Sequence, residues 1–302
     1  MIFLALIPAI ALMIFVYLMD RKEKESPKVL WTCFLLGVVS TIPAVAFELV
    51  VDLFESFVMT RGSFLYAFFD SICVVALAEE GCKYLMLRLR TWNHRGFNCM
   101  YDGIVYAVFV SMGFAAFENV IYVINGDVST ALLRMFTAVP SHAVDAVFMG
   151  VFYSHAKQAA LNGDRSKRIT NTILALLVPI ATHGIYDSLI SLEEEIVGDL
   201  IVSLAYLAWI GVVVLSFTAA FVVIFVTSKK DHFFYVKNIT GATYIPVQQP
   251  APTAMPVQQP VPAQAAVPIS LRPGNWICRC GAINGNNFCP RCGTAIENAV
   301  WK

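Results

Sequence analysis

The chain has 302 residues, no net formal charge, 58% hydrophobic side chains and only 14% charged ones, whereas soluble domains carry charge on roughly a quarter of their residues. With a mean hydropathy of +0.68 this excludes an ordinary water-soluble globule. Because the total charge is zero, only its distribution along the chain is informative.

Seven apolar runs of about bilayer-spanning length follow one another, at roughly 1–19, 29–51, 64–87, 101–124, 131–156, 169–190 and 200–227. They predict an all-α polytopic membrane protein. The first run has no basic segment before it and no small-residue cleavage site, so it reads as a span and not as a signal peptide. Lysine and arginine set the orientation. The loops after the first, third and fifth runs and the segment after the seventh hold thirteen of them, from Arg21 to Lys230. The alternate loops hold only Arg61 and Arg134. That asymmetry predicts an external N-terminus and a cytoplasmic C-terminal tail in a multi-pass cell-membrane protein. The spanning domain is expected over 1–230.

A linker is expected over 231–273: from about 245 the composition turns to Pro, Gln, Ala and Val, and Pro-Val-Gln-Gln-Pro occurs at 246–250 and 256–260. Such a stretch reads as a semi-extended linker. A small module at 274–296 follows, with Cys278, Cys280, Cys289 and Cys292 in two knuckles each trailed by glycine. Four thiolates in a cytoplasmic tail predict a closed, structural zinc ribbon. It suits a cytoplasmic protein partner; Arg279 and Arg291 form too small a basic patch for nucleic acid.

The spans themselves hold unusual charge. Glu79, Glu80 and Lys83 lie in the third, Glu118 and Asn119 in the fourth with Asp102 at its start, His142 and Asp145 in the fifth, and His183 and Asp187 in the sixth. At about 1.5 Å per residue the principal groups fall within roughly 10 Å of the midplane, the depth agreement one shared site requires. A charge near the bilayer centre costs about 2.5 to 3.5 kcal/mol on insertion scales, so adjacent glutamates need a cation, a proton or a metal. Imidazoles with carboxylates suit zinc, whose bound water a spare glutamate would deprotonate in amide hydrolysis. Soluble zinc peptidases often display His-Glu-x-x-His; here no histidine precedes a glutamate. Plainer readings compete: Lys83 snorkelling to the interface, Glu118-Asn119 as a helix-packing pair, and Asp102-Gly103 as a turn.

Glu79-Glu80-x-x-Lys83, Asp102-Gly103 leading to Gly113-Phe114-x-x-x-Glu118-Asn119, His142 with Gly150 downstream, and His183-Gly184-x-x-Asp187 together resemble the successive motifs of the PrsW family of intramembrane proteases. The likeness covers about 65–190. It implies regulated, metal-dependent cleavage of a membrane protein in the bilayer, with anti-sigma factors as the associated substrate class. By position, Glu79 or Glu80 would be the general base. The other glutamate, His142 and His183 would hold zinc or another divalent metal, with Glu118 and Asp187 as further ligands or water-orienting groups and Lys83, Asn119, Asp102 and Asp145 in support. The alternatives are an ion-coupled transporter, since buried carboxylates and histidines also build proton relays, and a non-catalytic receptor that recruits partners through the ribbon.

Overall fold

A computed structural model describes residues 2–55, 63–125, 128–237, 244–246, 276–277 and 283–284. Its helices are α1 (Ile2–Met19), α2 (Pro27–Glu55), α3 (Phe64–Phe69), α4 (Leu77–Thr91), α5 (Asp102–Asn125), α6 (Val128–Phe136), α7 (Ala138–Leu161), α8 (Arg165–Ile190), α9 (Glu194–Val197) and α10 (Asp199–Lys229). Among the described residues five helical stretches are long and apolar enough to cross a membrane: α2, α5, α6–α7 from Leu132 onward, α8 and α10. The protein is an all-α polytopic membrane protein. The third apolar run is a composite, α3 passing through a π-helical stretch at Asp70–Ala76 into α4. The fifth is divided at Thr137, where α6 gives way to α7.

Helix α5 is the axis of the bundle. Its spanning window is 72% buried against 11% for α10, so α5 is sheathed by protein while α10 presents leucines and valines outward as a lipid face. Missing side chains let the neighbours close on α5. A Cβ on Gly150 of α7 would lie 2.5 Å from both the carbonyl oxygen of Gly103 and the Cα of Ile104, and added methyls on Gly37 of α2 or Gly113 of α5 would overlap the facing helix backbone. Small residues at such crossings are how helices associate in lipid, where burial of apolar surface gives no drive.

One end of the bundle is closed by aromatic rings and by the chain that leaves α10. Phe97 stacks on Tyr153 with ring centres 5.0 Å apart, and Phe234, fully buried, meets Phe97 edge-on at 5.3 Å. The Tyr101 amide donates to Asp231 Oδ1 (2.9 Å), the Phe234 amide to the Asn98 carbonyl (2.6 Å), and Gln158 pairs with both backbone groups of Tyr235. The strand β1 (Tyr235–Lys237) continues into an antiparallel pair with β2 (Tyr244–Pro246). The first residues after α10 are thus built into the bundle. The chain divides into two units, 1–250 and 251–302. In the second, β3 (Trp276–Ile277) pairs with β4 (Ile283–Asn284). Cys278, Cys280, Cys289 and Cys292, with most of the expected linker, lie outside the described residues.

At the closed end Asp20, Glu25 and Asp231 are buried in the loops. Burial lifts Asp20 to about 6 against the opposing pull of Lys24, with Asp231 adding to the rise, and lifts Glu25 to about 7, opposed by the nearby Tyr106 hydroxyl and helped by Asp20 and Glu23. Asp231 is raised for the same main reason. These acids hold protons more tightly folded than unfolded, so the stability they contribute is complete below about pH 4 and is lost as pH rises through roughly 6 to 7. The thermal midpoint is expected to fall between roughly pH 5 and roughly pH 8, and Glu25→Gln to flatten that fall. An identical fall in the variant would contradict the assignment.

Candidate active site

The π-helical stretch and α4 bring the paired glutamates to the bundle interior. An i→i+5 turn inserts a residue and rotates the rest of the helix, a device that clusters at functional sites. Glu79 and Glu80 occupy the first turn of α4, and Lys83 lies one turn on, within reach of both. Its ammonium donates to Glu79 Oε2 (3.0 Å) and Glu80 Oε1 (2.8 Å), meets His142 Nδ1 at 3.0 Å and sits 4.1 Å above the ring of Phe114. Lys83 therefore does not snorkel; it is 1% exposed and serves as counter-ion to the two acids.

Both histidines are gripped from behind by carboxylates. His142 of α7 pairs through Nε2 with Glu118 Oε2 (2.9 Å), and Glu118 Oε1 is held by Arg134 Nη2 at 2.8 Å. Arg134 also donates from Nε to Asn119 Oδ1 (3.1 Å). His183 of α8 pairs through Nε2 with Asp187 Oδ2 (3.1 Å) and through Nδ1 with Glu80 Oε1 (2.9 Å). Asp145 accepts from Thr182 and lies 4.0 Å from His183 Nδ1. The two imidazole centres are 5.2 Å apart. One donor atom each from Glu79, Glu80, His142 and His183 lie within 4.8 Å of one another.

This donor set fits a divalent metal. In each histidine Nε2 rests on a carboxylate outside the set of four, Glu118 or Asp187, an arrangement that fixes the ring and leaves Nδ1 towards Lys83 or Glu80. Glu80 Oε2 is buried without a hydrogen-bond partner, and the Lys83 ammonium already draws on three of the four groups as one cation would. The cluster opens onto a cavity of about 880 Å³ whose walls include Glu79, Glu118, His142, His183 and Asp187, but not Glu80.

Glu79, Glu80, Lys83, Glu118, Asn119, His142, Asp145, His183 and Asp187 therefore converge. Asp102 does not: its Oδ2 accepts from the amides of Asn98 (2.8 Å) and Cys99 (2.6 Å), so it caps the turn entering α5, as the Asp-Gly turn reading expects. Two lining residues escape sequence reading. By position Arg134 counts as loop charge, because nothing in the spacing shows α6 packing beside α5 at Glu118. Glu48 lies within the second apolar run and meets the same criterion that singles out Glu79, a carboxylate in a spanning segment.

Comparison with known proteins decides the family. Residues 25–226 match the family model described as PrsW family intramembrane metalloprotease. The chain belongs to this family. Curated relatives include Protease PrsW of Bacillus subtilis (strain 168), 32% identical over 204 residues that cover 68% of this chain and 88% of the relative. Protease PrsW of Geobacillus kaustophilus (strain HTA426) is 32% identical over 188 residues, 62% and 78% of the two chains. That of Clostridioides difficile (strain 630) is 29% identical over 210 residues, 68% and 85%. No solved structure matches the chain. The PrsW-family chain is an intramembrane peptidase, and the matched segment spans every helix that contributes to the cluster.

Removing one partner of a fully buried ion pair leaves an uncompensated charge and typically costs about 3 to 5 kcal/mol. Lys83→Met is accordingly expected to destabilise the fold by about that amount in denaturant titrations of the micelle-embedded protein. An unchanged midpoint would show that the glutamates do not depend on this ammonium.

Proposed function

We propose that this PrsW-family peptidase is metal-dependent and hydrolyses a peptide bond in or beside a membrane-embedded segment of a substrate protein. The convergence of two carboxylates and two carboxylate-backed imidazoles within 4.8 Å supports this reading most strongly. Glu80, His142 and His183 hold the ion, and zinc suits their nitrogen and oxygen donors. Zinc bound there would acidify a water and polarise the scissile carbonyl.

The remaining roles depend on which groups face the cavity. Glu79 reaches it and Glu80 does not, so Glu79 is the general base and Glu80 the anchoring carboxylate. Glu118 and Asp187 fix the tautomer and tilt of His142 and His183, and Arg134 with Asn119 keeps Glu118 in place. Lys83 balances the acids when the ion is absent. The cavity admits the water that hydrolysis consumes. The thirteen-to-two distribution of basic residues supports an external N-terminus and a cytoplasmic tail. A zinc ribbon on that tail would bind a cytoplasmic protein.

Two outcomes check the proposal. In the full-length chain with Cys278, Cys280, Cys289 and Cys292 changed to serine, metal analysis is expected to find about one equivalent of zinc. His142→Ala with His183→Ala in that background should abolish it; retention, or no zinc before the change, contradicts the metal assignment. Glu79→Gln is expected to lower cleavage of a membrane-anchored substrate by about 10² to 10⁴-fold while zinc is retained. Undiminished cleavage would remove Glu79 from the base role.

A further inference from the structure

Among the described residues Glu48 is the one cavity acid for which neither the mechanism nor the fold accounts. It lies on α2, and with Thr41 and Val45 at i−7 and i−3 it forms a single stripe of that helix lining the cavity. The other lining acids are engaged: Glu79 by Lys83, Glu118 by Arg134 and His142, Asp187 by His183, Asp145 by Thr182, and Asp70 by a contact of its own. Among the described residues no hydrogen bond or ion pair reaches the Glu48 carboxylate. It nevertheless shares the electrostatic field of Glu118, His183, Lys83 and Asp70. An ionisable side chain in a spanning helix is costly and commonly marks a pathway or a binding function. This one is half-buried and lines the cavity onto which the cluster opens.

An acid without a partner attracts a cation, and on the proposed reading the ligand that enters this chamber is a polypeptide. Helix α2 packs directly on the π-helical stretch and on α4. Glu48 and Glu79 line the same cavity and lie within electrostatic range of each other, so a substrate whose scissile bond lies against Glu79 presents its flank to Glu48. We propose that Glu48 is a specificity residue that receives a lysine or arginine of the substrate in the flank of the bond cleaved. The inference rests on reading the Glu79–His183 cluster as the cleavage centre. The acceptable substrate is then a membrane segment with one basic residue in its flank, held to Glu48 by a charge-assisted hydrogen bond while the neighbouring bond lies against Glu79.

Binding tests this independently of turnover. The full-length protein with Glu79→Gln, placed in lipid nanodiscs, is titrated with a fluorescent single-span peptide in which lysine is moved through the flanking positions, each compared with its norleucine twin. At one position lysine is expected to bind about tenfold more tightly than norleucine, the effect of one charge-assisted hydrogen bond. Adding Glu48→Gln should bring that ratio close to one, and Glu48→Lys should shift the preference to glutamate at the same position. A lysine preference that survives Glu48→Gln overturns the proposal, as does the absence of any preferred position. A cleavage assay on the same peptides separates the two readings: equal cutting by the unsubstituted protein and by the Glu79→Gln protein would refute the cleavage centre, whatever Glu48 binds. Thermal midpoints of the Glu48 variants confirm that they are folded.

Discussion

The ion triad of Lys83 with Glu79 and Glu80 is the constraint on which the site is built. Two carboxylates on one turn of a spanning helix are untenable in hydrocarbon unless positive charge lies against them. Lys83 supplies it from the same helix and balances one of the two negative charges, leaving the remainder to groups on other helices. That triad then offers acceptor oxygens to a second helix, through His183, and an ammonium to a third, through His142. Charge compensation and site assembly are one event: each further group that docks satisfies a polar atom otherwise stranded in lipid.

The same logic extends outward in a second layer. His142 draws in Glu118, Glu118 draws in Arg134, and Arg134 draws in Asn119, so a chain of hydrogen bonds ties α7 to α5 and α6. On the other side Asp187 and Asp145 flank His183. Polar networks of this kind fix a single arrangement when every member is partnered. Around them the glycine crossings of α5 with α2 and α7 hold the backbones close enough for the side chains to meet, and the aromatic plug at Phe97, Tyr153 and Phe234 closes the end of the bundle next to the loops.

Much of this is legible in the sequence, because a charge inside an apolar run is conspicuous and helical rise alone fixes its depth. Glu79, Glu80, Glu118, His142, His183 and Asp187 are identifiable that way, and their order carries the family likeness. Azimuth is not legible. Depth cannot tell which of two adjacent glutamates faces the cavity, and it is the family likeness that places Asp102, a turn cap, among the supporting residues. The rotation depends on the π-helical turn at Asp70–Ala76, which no periodicity in an apolar stretch reveals. Arg134 escapes for a related reason: it stands near the start of the fifth run, and only the packing of α6 beside α5 brings it to Glu118. Glu48 is visible but stands alone in its run, without the adjacent second charge that draws attention to Glu79.

The central claim is that imidazoles of α7 and α8 and a carboxylate of α4 meet around one ion in the bilayer. Anomalous diffraction at the zinc edge from crystals of the zinc-loaded protein addresses it directly. The account predicts a peak about 2.0 to 2.2 Å from Nδ1 of both His142 and His183 and from a Glu80 oxygen. Anomalous density confined to the tail cysteines, with Lys83 still lodged between Glu79 and Glu80, would contradict it.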